Sequence, residues 1–294
     1  MEVSSRTLLG MCLLRPSREV NDLLLGILGR AQALFPVDLF AFVFLSNHFH
    51  MLMRVLSSKR MADFMGFFKS NVAREVGPLH DWKATFWGGR YHSMPVADSE
   101  AAQLNRFQYI LKNGCKEDLV ASPLDLPSVS SAPALYRGES SMTGPWMNRT
   151  KQYHAKLRGV REEFPEPQTV RLSPLPFLEG LTPEQRRAFM VDEVRRLEEE
   201  TAARHKKDGT RALGAQKMCE RHPHDSPKDF HPKPAPAFYA STPEEFMAMK
   251  EVRAAIIAEY RAASARVRQG EKDVEFPEGT FPPAPPFVDT RAPP

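Results

Sequence analysis

The first 115 residues alternate apolar and polar positions in recognisable periods. Residues 7–14 are mostly apolar and read as a strand. Ser17 then opens a helical stretch over residues 19–34, with Leu23, Leu24, Ile27 and Leu28 on one face. The run DLFAFVFL at 38–45 is rich in aromatic and β-branched residues and suits a central strand. Ser46-Asn47 makes a tight turn into a second strand, 48–55, with strict alternation. Phe49, Met51, Met53 and Val55 share one face; His48, His50, Leu52 and Arg54 share the other. Residues 58–76 carry Met61, Phe64, Met65, Phe68 and Val72 at helical spacing. Residues 86–96 read as a further strand or hairpin, and Asp98 as the cap of a helix over 99–115. The order β-α-β-β-α-β-α predicts an α+β domain: a ferredoxin-like antiparallel sheet with helices on one face.

Proline changes the picture after that point. Only four of the 26 prolines precede residue 120, so the regular part ends there and helices joined by extended connections follow. The expected division is a compact domain at 1–127, a Pro-rich linker at 128–181, and a helical C-terminal extension at 182–294 with a mobile tail. Thr182-Pro183-Glu184-Gln185 and Thr242-Pro243-Glu244-Glu245 are capping boxes with proline at the first helical position. They start helices to about residue 207 and about residue 269.

Composition adds little. Hydrophobic content of 42% and charged content of 26% are ordinary for a globular chain, and a net charge of +4 permits a nucleic-acid partner without requiring one. Three scattered cysteines suggest no disulfide framework and fit a reducing cytosol. The apolar run at 8–14 is too short to span a bilayer, so no membrane association is expected and a cytoplasmic location is the default.

Two local patterns carry chemistry. His48 and His50 are one residue apart on a strand, so both imidazoles can meet one ion. An isolated His-x-His is more often a pair of ordinary half-buried sheet histidines. The tight turn before it and the apolar alternates that serve as core bring the metal reading level, with zinc the first guess from imidazole alone. Tyr109 and Asn113 are four apart on the predicted helix, so phenol and amide project side by side. Taken alone they are better read as a core aromatic and a helix-terminal residue before Gly114. Taken as chemistry, a phenol needs a nearby cation to serve as nucleophile at neutral pH, and an amide oxygen suits magnesium or manganese.

As a set, the context LSNHFHMLM around His48-Phe49-His50, the stretch Phe86-Trp87-Gly88-Gly89-Arg90-Tyr91-His92, and Arg106-Phe107-Gln108-Tyr109-Ile110-Leu111-Lys112-Asn113 followed by Leu119-Val120-Ala121-Ser122-Pro123 resemble the insertion-sequence-200-like transposases. Within them the likeness is to the REP-associated tyrosine transposases of the HUH single-strand endonuclease superfamily. It covers about residues 5–150.

The resemblance implies that His48, His50 and Asn113 hold one divalent ion, magnesium or manganese rather than zinc. It further implies that Tyr109 attacks the scissile phosphate, leaving a 3′-hydroxyl and a 5′-phosphotyrosine link that a second 3′-hydroxyl can reverse. Family members recognise single-stranded DNA hairpins, and many act as dimers, so both a DNA hairpin and a second copy of the chain are candidate partners. Two departures stand out: Ser46 where the family often has proline, and Asn113-Gly114 where it usually has Asn-Pro. The second could shift the end of the helix and with it Asn113. Tyr91 is a rival nucleophile, but it lies beside glycines in a strand and lacks a helical partner.

Arg54, Arg90, Tyr91, His92, Lys112 and Lys116 are candidates for contact with DNA; for each, a solvated face or core position is an equally good account. Cys219, His222, His224 and His231 fit no standard zinc spacing. Two other functions remain open: a relative that binds nucleic-acid hairpins without cutting, and an unrelated zinc hydrolase using His48 and His50.

Overall fold

The computed structural model describes residues 1–160, 162, 164–227 and 236–283. Its centre is a four-stranded sheet in the order β2-β3-β1-β4, every neighbouring pair antiparallel. The strands are β1 (Glu2–Arg6), β2 (Asp38–Leu45), β3 (His48–Arg54) and β4 (His92–Met94). Helix α1 (Arg18–Leu34) links β1 to β2, and α2 (Ser58–Leu79) links β3 to β4. This is the ferredoxin-like arrangement expected of the pattern.

The first strand is earlier than its apolar content suggested. Residues 7–14 are not a strand: Leu8–Gly10 form a 3-10 turn, with Leu9 at φ 51° and Gly10 at φ 68°, conformations that no extended chain can contain. Extended pairing instead lies at Glu2–Arg6, where only Val3 is a core apolar side chain. Within 86–96 only His92–Met94 is paired as a strand, and Trp87 makes an isolated bridge to Thr7. Helix α3 (Glu100–Leu111) is capped by Ser99, whose side chain accepts from the Ala102 N–H, rather than by Asp98.

Each face of the sheet has its own core. Val3, Phe42, Phe44, Phe49, Met51 and Met53 pack with Leu24, Ile27 and Leu28 of α1 and Phe64, Phe68 and Val72 of α2. On the reverse face Ala41, Val43, Leu45 and Leu52 pack against Phe107, Ile110 and Leu111 of α3. A register shift between Leu39 and Ala41 turns Phe40 and Ala41 to this same face, so β2 serves both layers.

Residues 128–181 hold more structure than an extended connector. They contain α5 (Ala132–Arg137), α6 (Arg149–Leu157) and a two-stranded ribbon of β5 (Ser141–Met147) with β6 (Pro165–Arg171), which packs on α1. Of the expected helices, α7 (Pro183–Asp208) has its full capping box, Thr182 with Gln185. Helix α9 (Pro243–Arg268) has half: Thr242 accepts from the Glu245 N–H, but the Glu245 carboxylate binds Ser241 instead. Short helix α4 (Asn113–Lys116) follows α3 directly, and α8 (Ala215–Glu220) lies between α7 and α9. Among the described residues no helix is long and apolar enough to cross a membrane.

Candidate active site

Strand register assembles one polar row across the reverse face of the sheet. Arg6 lies opposite His48, Ser4 opposite His50 and, on its other side, opposite His92. Directly opposed residues in antiparallel strands share a face, so Glu2, Ser4, Arg6, His48, His50 and His92 point the same way. Helix α3 crosses this face. Its buried residues Phe107, Ile110 and Leu111 fix its rotation, and that rotation leaves the half-buried Tyr109 beside His50, with ring centroids 5.5 Å apart. The two histidine rings are 5.2 Å apart. The phenol therefore meets the histidines of its own chain.

Hydrogen bonds place a proton on Nδ1 of both imidazoles. The Asn47 side-chain N–H donates to the Gly10 carbonyl at 3.0 Å, which leaves its oxygen facing His48 Nδ1 at 2.6 Å. An amide oxygen only accepts, so the His48 proton sits on Nδ1 and the Nε2 lone pair is free. His50 Nδ1 likewise faces the Glu2 carboxylate at 2.7 Å, and since a carboxylate only accepts, Nδ1 carries a proton there. Burial first, and then the neighbouring His50 and Arg6, push the His48 pKa well below the usual histidine range, with Asn113 opposing the shift. His48 is thus a neutral imidazole, the form that binds metals.

Asn113 completes the group. It is 1% exposed, and its side-chain oxygen is buried without a hydrogen-bond partner. Such an acceptor costs roughly 1–3 kcal/mol unless something fills it. Two imidazoles, each engaged through Nδ1, and one unsatisfied amide oxygen are a donor set that fits a divalent cation. Among the described residues no three His, Cys, Asp or Glu side chains are grouped to hold a metal ion.

The departure at Gly114 is absorbed by close packing. The helical run breaks at Lys112, where ψ is 1°, and resumes in α4. A Cβ on Gly114 would lie 2.9 Å from Leu126 Cδ1 and 3.1 Å from Val120 Cγ2, so the missing side chain lets this turn settle inward and keeps Asn113 buried.

A buried carboxylate ties the parts together. Glu2 is 4% exposed; one oxygen meets His50 and the other accepts from Arg106 Nε at 2.5 Å. Burial pushes its pKa up, but His50 and Arg106 more than reverse that and hold it below the usual carboxylate range. Arg106 in turn lies over the Tyr109 ring at 4.0 Å and over Tyr239 at 4.8 Å, and Lys116 Nζ lies 5.0 Å from the Tyr109 ring. Tyr239 arrives by a bridge to Val96 beyond β4, so a residue far outside the sheet domain borders the site.

The remaining candidates divide. His92 and Lys116 are on the histidine face or beside Tyr109, and Lys112 caps α3 just before Asn113. Arg54 is at the other end of β3 and is engaged by Asp38 at 2.8 Å and Glu179 at 3.5 Å. Tyr91 packs against the opposite core and Arg90 is exposed on that side, so neither joins the histidines. Of the possible zinc ligands, the His222 and His224 rings meet edge to face, with His224 also bonded to the His80 carbonyl; His231 lies outside the described residues. Glu2, Arg6 and Tyr239 were not picked out by any motif. Arg106 opens the stretch 106–113 that carries the resemblance, one helical turn before Tyr109.

Comparison with known proteins agrees with the earlier resemblance. Residues 16–113, which contain both histidines, Tyr109 and Asn113, match the family model described as "Transposase IS200 like". A solved structure of a REP-associated tyrosine transposase bound to a REP hairpin is similar at 17% identity, covering 44% of this chain and 74% of that one, with a TM-score of 0.35. No curated protein matches the chain.

Proposed function

We propose that the chain, IS200-like transposase in sequence over residues 16–113, cuts and rejoins single-stranded DNA through Tyr109. One observation carries this: the His48 and His50 rings lie together against Tyr109, and Asn113, which acts on His48, keeps a buried oxygen with no hydrogen-bond partner. Magnesium or manganese held by His48, His50 and Asn113 would act as a Lewis acid on a non-bridging oxygen of the scissile phosphate. The phenol gives up its proton to solvent, and its oxygen forms a bond to phosphorus as the bond to the 3′-oxygen breaks. The leaving oxygen takes up a proton and becomes a 3′-hydroxyl, and the 5′-phosphate stays on Tyr109. Arg106 and Lys116, over the ring, offset negative charge on the phenolic oxygen. One phosphodiester replaces another, so attack by a different 3′-hydroxyl reverses the step without a nucleotide cofactor. The substrate class is a hairpin-bearing single strand, and the site needs no residue from a second copy.

Incubation of the protein with a labelled hairpin oligonucleotide and manganese is expected to give a covalent protein–DNA band on a denaturing gel. Binding without that band would make the chain a hairpin-binding module. Cleavage without it would point to a metal hydrolase.

Glu2 has a separate expected effect. It fixes the His50 ring and its tautomer, a role whose loss typically costs 10–100-fold in metal affinity. Glu2→Gln should weaken manganese binding by at least about tenfold in calorimetric titration. Unchanged affinity would remove Glu2 from the site.

A further inference from the structure

An open groove of about 720 Å³ lies on the α2 side of the sheet, against the edge strand β4 and away from the histidines. Lys69, Phe86, Trp87, Arg90 and Tyr91 line it, with Met65 and Gly66 in its floor. None of its lining residues is acidic. The Lys69 ammonium donates to the Gly89 carbonyl at 2.8 Å and lies over Trp87 at 5.2 Å, with no carboxylate partner among the described residues. Burial lowers its pKa from 10.5 to about 8. A cation that has lost water and gained no counter-ion is stabilised by an arriving anion. Arg90 is exposed beside it and makes no ion pair among the described residues.

Gly66 adds an independent mark. It sits inside α2, is exposed, and has nothing within 4 Å of where a Cβ would be. Glycine inside a helix costs roughly 1 kcal/mol relative to alanine. Nothing in the folded chain requires it there, whereas a ligand lying against the helix would.

We propose that this groove is a second nucleic-acid site, taking an unpaired stretch of the strand being cut, with a base on Tyr91 and neighbouring phosphates on Lys69 and Arg90. The inference rests on the transposase reading. A nucleic-acid strand suits the position as well as the charge. His92 faces the catalytic side and its neighbours Tyr91 and Ser93 the groove, so a polymer leaving the site passes round one edge strand to reach it. Aromatic faces with basic residues between them are how single strands are held without base-specific bonds.

Fluorescence anisotropy with a labelled hairpin carrying unpaired flanks, and with the same hairpin lacking them, tests this on the full chain. Lys69→Met with Arg90→Gln keeps the lysine stem over Trp87 and removes both charges. Gly66→Leu fills the floor with a better helix former, and its thermal midpoint should not fall. Both variants are expected to lose about tenfold or more in affinity for the flanked oligonucleotide and little for the bare hairpin, the scale of one stacked base. The double variant should also flatten the slope of log K against log salt by about 1.4, two phosphates at roughly 0.7 each. Wild-type affinity of both folded variants for the flanked oligonucleotide would overturn the groove proposal alone. Failure of the wild-type protein to bind either oligonucleotide would overturn the transposase reading and the groove with it.

Discussion

Tyr109→Phe is expected to abolish the covalent protein–DNA band and lower strand cleavage by a factor on the order of 10³ or more, the scale on which removal of a nucleophile acts. The substitution deletes one oxygen and keeps the ring. The contacts that hold residue 109 are made by the ring: His50 at 5.5 Å, Arg106 at 4.0 Å and Lys116 at 5.0 Å between centres. Phenylalanine preserves all three, so hairpin binding, manganese affinity and the thermal midpoint should stay near wild type. A pure loss of chemistry is thus separable from a loss of structure. A band that persisted in the variant would move the nucleophile elsewhere, with Tyr91 the first residue to replace. Tyr91 lies against the opposite core, and burial raises its pKa, both of which weigh against it.

The parts of the site that could be read from sequence are those where local geometry alone brings groups together. A strand's two-residue repeat puts His48 and His50 on one face, which needs no knowledge of the rest of the chain. The one helix expected to carry both Tyr109 and Asn113 breaks between them at Lys112, so the place of Asn113 is set by packing around Gly114 rather than by a local period. Glu2 is different. The strand EVSSR has a single core apolar residue, so its alternation is nearly silent, and its extended form is imposed by pairing with β3 on one side and β4 on the other. The more apolar residues 7–14 imitate a strand because Leu13 and Leu14 are core, yet the turn at Leu9 and Gly10 reverses the chain between them and β1. Tyr239 reaches Arg106 through a tertiary contact between distant segments, which no local period records. The prolines at 145, 165 and 167 mislead for another reason. A two-stranded ribbon is all edge, so Pro145 can stand opposite Pro167 without removing a hydrogen bond that the sheet needs.

That ribbon is the subject of the other large expected effect. A Cβ on Gly26 of α1 would lie 1.8 Å from the Pro145 carbonyl oxygen, and one on Gly144 would lie 2.8 Å from the Gly26 nitrogen. Gly29 is nearly as close, 2.9 Å from the Gln168 carbonyl carbon. Helix and ribbon therefore touch backbone to backbone, with no flexible side-chain end between them to give way. Gly26→Ala gains about 1 kcal/mol in helix propensity and sets against it an overpacking cost at or above the upper end of the usual 1–3 kcal/mol. The clash wins. The expected result is a net loss of about 2 kcal/mol or more, and a midpoint lower by roughly 4–8 °C for a chain of this size. Gly66→Ala makes the same chemical change where a Cβ meets nothing within 4 Å, so only the propensity gain remains and its midpoint should rise. The opposite signs of one substitution at two helical glycines isolate the contact from the residue type. Hydrogen exchange should show where the loss falls, with protection across residues 141–171 reduced first. A Gly26→Ala protein with wild-type midpoint and wild-type protection there would mean that the ribbon does not rest on α1.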